Sequence, residues 1–206
     1  MPVWYAAYGS NLSRDRFLTY VRGGRPAGAT RTYPGARDTS LPTADVAFTM
    51  SGQVFFAWES PTWGGGIAFY DSTSEGTVLA RAYRLTEQQF ADVAAQEMHR
   101  EPGEDLDLGH VLEHARHELG PGRYETLHLV GELDGDPVLT FTARDPSSLP
   151  PNAPVAAYLR TVAAGLAQTH DLGERAVADY LLGCRGTTPA WSSDALVALL
   201  SPARRG

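Results

Sequence analysis

The sequence predicts an α+β fold, and three observations predict it: a strand-turn-helix opening, short glycine-punctuated apolar runs, and a closing set of helices behind one hairpin. Residues 3–8 read as a first strand that runs into the turn Gly9-Ser10-Asn11, with a helix over 13–21. A loop rich in Gly, Pro and Arg covers 23–37. Apolar and aromatic runs at 44–50, 53–58, 67–70 and 77–83 are separated by Gly and Ser clusters, the pattern of strands in a small, strongly curved sheet. Thr86 opens a helix with Gln89 three residues on, a capping-box pattern, and that helix is expected to reach residue 100. The acidic segment 101–122, edged by Gly and Pro, reads as an inserted helix. Residues 125–143 form a hairpin turning at Asp134-Gly135. A linker over 146–154 leads to helices at 155–168, 174–182 and 193–200. No internal repeat is visible, and the Pro-rich string 149–154 is too short for a domain boundary, so residues 1–206 are read as one domain.

Composition narrows the function. A chain of 206 residues, 43% hydrophobic and 20% charged, buries a sizeable core. A formal net charge of -7 argues against nucleic acid or an anionic membrane as partner. No apolar run approaches a membrane span. With a strand beginning near Val3, no signal peptide is expected. The single cysteine, Cys184, excludes an intrachain disulfide and any all-cysteine metal site. A cytoplasmic protein, monomer or homodimer, is the expectation.

Two local features point to chemistry. A glycine at a strand-to-helix turn lets backbone approach a ligand, and amides opening a helix can hold a carboxylate or oxyanion. Equally, Ser10 or Asn11 could do no more than cap the helix. On a wheel of the 87–97 helix, Glu97 falls about 20° from Phe90, between Val93 and Ala94, with Gln88, Asp92 and Gln96 opposite. A carboxylate aimed at the core must be paired or protonated, the tuning that suits a general acid/base. Its alternative is to bend out to solvent or pair with His99 or Arg100.

Both features coincide with one pattern. The string Tyr8-Gly9-Ser10-Asn11-Leu12 and the stretch TWGGGIAFYDSTSEGTVLARAYRL at 62–85 resemble the γ-glutamylcyclotransferase-like family, which carries a Tyr-Gly-Ser-Asn-Leu/Met turn and a Trp-x-Gly-Gly-Ile-Ala strand. The same register sets Gln96-Glu97 on the family's Gln-Glu, which makes Glu97 the expected catalytic residue. Residues 124–143 and 150–181 are similar in order and spacing. The resemblance implies a small mixed β-barrel with flanking helices and an enzyme needing no cofactor. It would cyclise a γ-glutamyl amide or peptide to 5-oxoproline with release of the amine. Glu97 would carry the proton, Tyr8, Gly9, Ser10, Asn11 and Leu12 would form the substrate-binding turn, and Tyr158 would hydrogen-bond substrate or serve only as core. Two departures stand out. Met98-His99-Arg100 follows the glutamate where the family has Gly, and residues 101–122 replace a short connection, as part of the pocket wall or a lid. A non-catalytic binding protein of the same fold is the alternative.

Other signals carry less. His110, His114 and His117 lie at i, i+4 and i+7 and raise a metal-assisted hydrolase as a further alternative, but the apolar stripe lies opposite them and the Glu of a His-Glu-x-x-His motif is missing. A solvated face is expected there, and no metal. Gly64-Gly65-Gly66 lacks the Lys and Ser/Thr of a phosphate loop and reads as a bend or close backbone approach. Cys184 reads as a structural thiol, and Trp191 with the last helix as docking on the domain body or serving a dimer contact.

Overall fold

The computed structural model describes residues 1–26 and 32–201. Part of the predicted 23–37 loop, at 27–31, and positions 202–206 of the expected domain lie outside the described residues.

The opening strand, β1 (Pro2–Ala7), is apolar at both parities, so it must be buried on both faces. It sits inside a mixed six-stranded sheet whose order is β2 (Ala44–Ser51), β5 (Thr77–Thr86), β1, β8 (Asp136–Thr142), β7 (Thr126–Leu133), β6 (Arg116–Glu118). β1 runs antiparallel to β5 and parallel to β8. Val3, Tyr5 and Ala7 face α1 (Arg14–Arg22), α2 (Glu87–Glu97) and α3 (Gly109–His114), meeting Phe17, Phe90 and Val111. Trp4 and Ala6 face the other side, where a ribbon of β3 (Gln53–Ala57) and β4 (Ile67–Asp71) lies with α4 (Ala156–His170), α5 (Glu174–Gly183) and α6 (Ser193–Leu200). The sheet is therefore the middle layer of three, with a core on each face.

The described ladders leave the sheet and the ribbon as separate hydrogen-bonded units, and side chains join them. The Thr142 hydroxyl accepts from the Tyr70 N–H at 3.0 Å and donates to the Tyr70 carbonyl at 2.8 Å. Tyr124 donates to the Ala68 carbonyl at 2.9 Å. The sheet also curls: a Cβ on Gly131 of β7 would lie 3.1 Å from the Phe48 ring of β2. The α+β class with a mixed, strongly curved sheet is as the sequence predicts.

The capping box at Thr86 and Gln89 forms as expected. Three features differ. The helix α2 stops at Glu97, with His99 in the left-handed region at φ 59°. On its polar side Asp92 and Gln96 are also buried, because the 35–40 loop and α1 cover them, and Gln88 is exposed. Asp92 accepts from the Arg37 backbone and guanidinium at 2.8 and 3.0 Å, and Gln96 donates to the Tyr20 carbonyl at 2.9 Å. Finally, residues 101–122 are helical only over Gly109–His114, after which Ala115 turns left-handed and Arg116–Glu118 pairs with β7 as an edge strand. The three histidines therefore share no single helix: His117 belongs to β6, although its ring lies 4.5 Å from that of His110.

Toward the C-terminus, Leu196 of α6 is fully buried and Trp191 donates to the Pro154 carbonyl at 2.8 Å, which docks the last helix on the domain body. Burial pushes the Cys184 thiol up to about 12, leaving it unreactive. No helix among the described residues is long and apolar enough to cross a membrane.

One buried base makes the fold acid-sensitive. His128 on β7 packs edge-on against Tyr70, opposite Arg116, and burial, then that arginine, lowers its pKa to about 4. The unfolded imidazole titrates near 6.5, so the unfolded chain binds more protons between those values and stability rises with pH across that window. The contribution is complete above about pH 6.5 and lost as pH falls toward 4, about 3 kcal/mol in all. Urea midpoints at pH 7.5 and 4.5 test this: His128→Gln flattens the difference, and an unchanged difference contradicts it.

Candidate functional site

The strand β1 delivers its C-terminal end to a turn rather than directly to a helix. Gly9 opens a single 3-10 turn over Ser10–Leu12, closed by Leu12 N–H to the Gly9 carbonyl at 3.0 Å and Ser13 N–H to Ser10 at 3.2 Å. The α-helix begins at Arg14 with Ser13 as its N-cap, one residue later than the sequence suggested. Neither Ser10 nor Asn11 caps it. Asn11 is buried and its side-chain amide reaches across: Nδ2 donates to Glu97 Oε1 at 2.8 Å and to the Tyr5 hydroxyl at 3.3 Å. The carboxylate at the end of α2 thus meets the bend at the end of β1.

A cavity of about 250 Å³ opens there, lined among others by Ser10, Arg16, Trp58, Glu97, Arg123 and Tyr158. Adjoining it is a recess of about 40 Å³ walled by Tyr5, Tyr8, Gly9, Ser10, Asn11 and Glu97, together with Tyr124 and Tyr158. The recess has room for a carbonyl or a water, not for an amino acid. Glu97 stands on the wall common to both spaces.

Tyr8 walls the recess, its hydroxyl donating to the Phe141 carbonyl at 2.8 Å. Tyr158 is buried and lines both spaces. Its oxygen accepts from the Ala68 N–H at 3.0 Å and faces the Ser10 N–H. Its own proton has no acceptor among the described residues, so it is available to the cavity. Burial, partly offset by the Ala68 N–H, raises the Tyr158 pKa, and burial followed by the Glu97 charge holds Tyr5 and Tyr20 well above the usual phenol value. Phenols around the site therefore remain neutral donors at physiological pH. Leu12 is not part of the lining: it is fully buried, pressed against Gly165 of α4, and anchors the bend from behind.

Sequence reasoning missed two cations. Arg16 is on the buried face of α1, its guanidinium 4.6 Å over the Tyr33 ring and donating to the Tyr33 hydroxyl at 2.6 Å. Burial lowers its pKa, but the surrounding phenols and Glu97 outweigh that and raise it. The available signal was its i, i+4 relation to Tyr20. Arg123 lies at the exit of the inserted segment, and with Tyr124 it is where that segment meets the cavity; none of 101–122 lines it. Three buried polar atoms around the site have no hydrogen-bond partner among the described residues: Asn11 Oδ1, Arg16 Nε and Arg123 Nε. Among the described residues no group of three or more His, Cys, Asp or Glu is arranged to hold a metal ion.

No family model matches the chain. A solved γ-glutamyl cyclotransferase superposes over 96% of this chain and 99% of its own, with a TM-score of 0.51 at 14% sequence identity. The chain has the γ-glutamyl cyclotransferase fold. An uncharacterized protein from Homo sapiens shares that fold equally, over 96% of this chain and 98% of its own, again with a TM-score of 0.51 and 14% identity. In sequence, 88% of the chain is similar to histone deacetylase 5 of Arabidopsis thaliana, at 30% identity. The chain spans only 30% of that protein's length. Within that fold, Ser10 of the bend and Glu97 line both the cavity and the recess.

Proposed function

We propose that the chain is a γ-glutamyl cyclotransferase, converting a γ-glutamyl amide or peptide to 5-oxoproline and a free amine. One observation carries this reading: a single carboxylate, Glu97, fixed at 2.8 Å by the side chain of the bend residue Asn11, on the wall between a substrate-sized cavity and a recess of carbonyl size.

The reaction needs no outside nucleophile. The substrate's α-nitrogen attacks its own side-chain carbonyl carbon, the new C–N bond closes the five-membered ring, and the old amide C–N bond breaks. One proton leaves the attacking nitrogen and one reaches the departing nitrogen, so a single carboxylate that takes and returns it completes the balance. Glu97 fills that role. The carbonyl oxygen enters the recess, toward the backbone amides at Gly9, Ser10 and Asn11, with the Tyr158 proton as a further donor. Tyr8 closes the recess behind it. Arg16, charged and short of a partner at Nε, supplies the positive potential for the glutamyl α-carboxylate. Holding the substrate folded supplies much of the rate by orientation alone.

Incubation of the purified protein with γ-glutamyl dipeptides and γ-glutamyl amines, followed by chromatography, tests the reading. Equimolar 5-oxoproline and amine are expected. A ligand that raises the melting temperature yet releases neither product would mark a binding protein instead.

A further inference from the structure

Arg123 lines the cavity that contains Glu97. Its guanidinium carbon lies 3.6 Å from the centre of the Trp58 ring, a stacked arrangement. Stacking on one ring covers one face of the guanidinium and leaves its terminal N–H groups, which can match a carboxylate, on the wall of the cavity. It has no ion pair among the described residues, and Nε is buried without a partner. Trp58 beneath it takes a left-handed conformation at φ 57°, which a bulky residue adopts only when its surroundings impose it. Asn152 supplies part of that restraint, donating to the Trp58 carbonyl at 2.8 Å.

The loop that carries Arg123 is equally constrained. The Glu125 carboxylate tucks under it, accepting from the Gly122 N–H at 3.2 Å and from Arg100 at 2.7 Å, while Leu119 N–H bonds the Glu125 carbonyl at 2.7 Å. A Cβ on Gly120 or Gly122 would collide with that carboxylate. Both the arginine and its aromatic platform are thus set in place before any ligand arrives, and both line the cavity that contains Glu97.

We infer that Arg123, stacked on Trp58, is the specificity-determining residue that binds a carboxylate on the departing amine, so that the chain favours γ-glutamyl amino acids over γ-glutamyl amines. This rests on the cyclotransferase reading, which gives Glu97 the reacting end and Arg16 the glutamyl α-carboxylate. Arg123 is then left for the other end of the substrate. The group it recognises is the second carboxylate of a dianionic dipeptide.

Calorimetry with the Glu97→Gln variant, which holds substrate without consuming it, tests the inference. L-γ-glutamyl-L-alanine is expected to bind at least about tenfold more tightly than its C-terminal amide. Arg123→Gln in the same background brings the two affinities within about twofold, and Arg123→Lys, which keeps charge without the planar fork, falls between. Thermal unfolding of each variant checks that the fold is retained. Equal binding of the two ligands, no binding of either, or a preference that survives Arg123→Gln overturns the inference. The outcome is separable from the parent reading: wild-type protein that releases no 5-oxoproline refutes cyclisation, while the calorimetric preference still reports on Arg123.

Discussion

Replacing Glu97 with Gln is expected to lower turnover of a γ-glutamyl dipeptide by about 10²- to 10⁴-fold while the melting temperature stays within a few degrees of the parent. The substitution keeps the shape of the side chain and can still bond Asn11, which approaches Oε1 at 2.8 Å. What it removes is the ability to take a proton from the attacking nitrogen. Because binding depends on Arg16, the bend and Tyr158 rather than on that proton, the loss belongs in kcat and not in KM. Retention of near-normal turnover by a folded Glu97→Gln protein would remove the carboxylate from the mechanism.

Gly165→Ala is expected to destabilise the chain by about 2 kcal/mol or more, despite alanine being the better helix former. Gly165 lies in the middle of α4, where a Cβ would come 2.4 Å from the Leu12 carbonyl carbon and 2.5 Å from the Ser13 nitrogen. Those are backbone atoms of the bend, so no rotamer change relieves the clash. Helix propensity would return about 1 kcal/mol, less than overpacking against backbone costs. Relief requires α4 to retreat from the bend, which also shifts Tyr158, two turns earlier on the same helix. Thermal unfolding should therefore show a drop of several degrees, and the surviving folded protein should have a lower kcat. A Gly165→Ala variant as stable as the parent would mean that α4 does not clamp the bend.

How much of this was legible in the sequence follows from the range of the interactions involved. The apolar run through Val3, Trp4, Tyr5 and Ala6 announces a strand buried on both sides, and Thr86 with Gln89 announces a helix start, because both signals are local. The place of Glu97 on the apolar stripe was legible because it is a helical-wheel property, but the wheel left its partner open. By contrast, α2 is wrapped on its polar side through Arg37, 55 residues from Asp92, and no wheel contains that partner. Asn11 was noted for its backbone, whereas its side chain makes the contact with Glu97 across 86 residues. The stack of Arg123 on Trp58 likewise joins segments distant in the chain, one of them reached only after the inserted stretch. That stretch misled because the histidine spacing fits a helix, while Ala115 turns left-handed and hands the chain to an edge strand.

The central claim is that the substrate's own nitrogen, its proton relayed through Glu97, displaces the amine, with no water entering the product. Reaction of a γ-glutamyl dipeptide in ¹⁸O-labelled water reads this directly by mass spectrometry. The account predicts 5-oxoproline free of the label, in equal amount to the released amino acid. Glutamate carrying ¹⁸O, or the absence of any product, would contradict it.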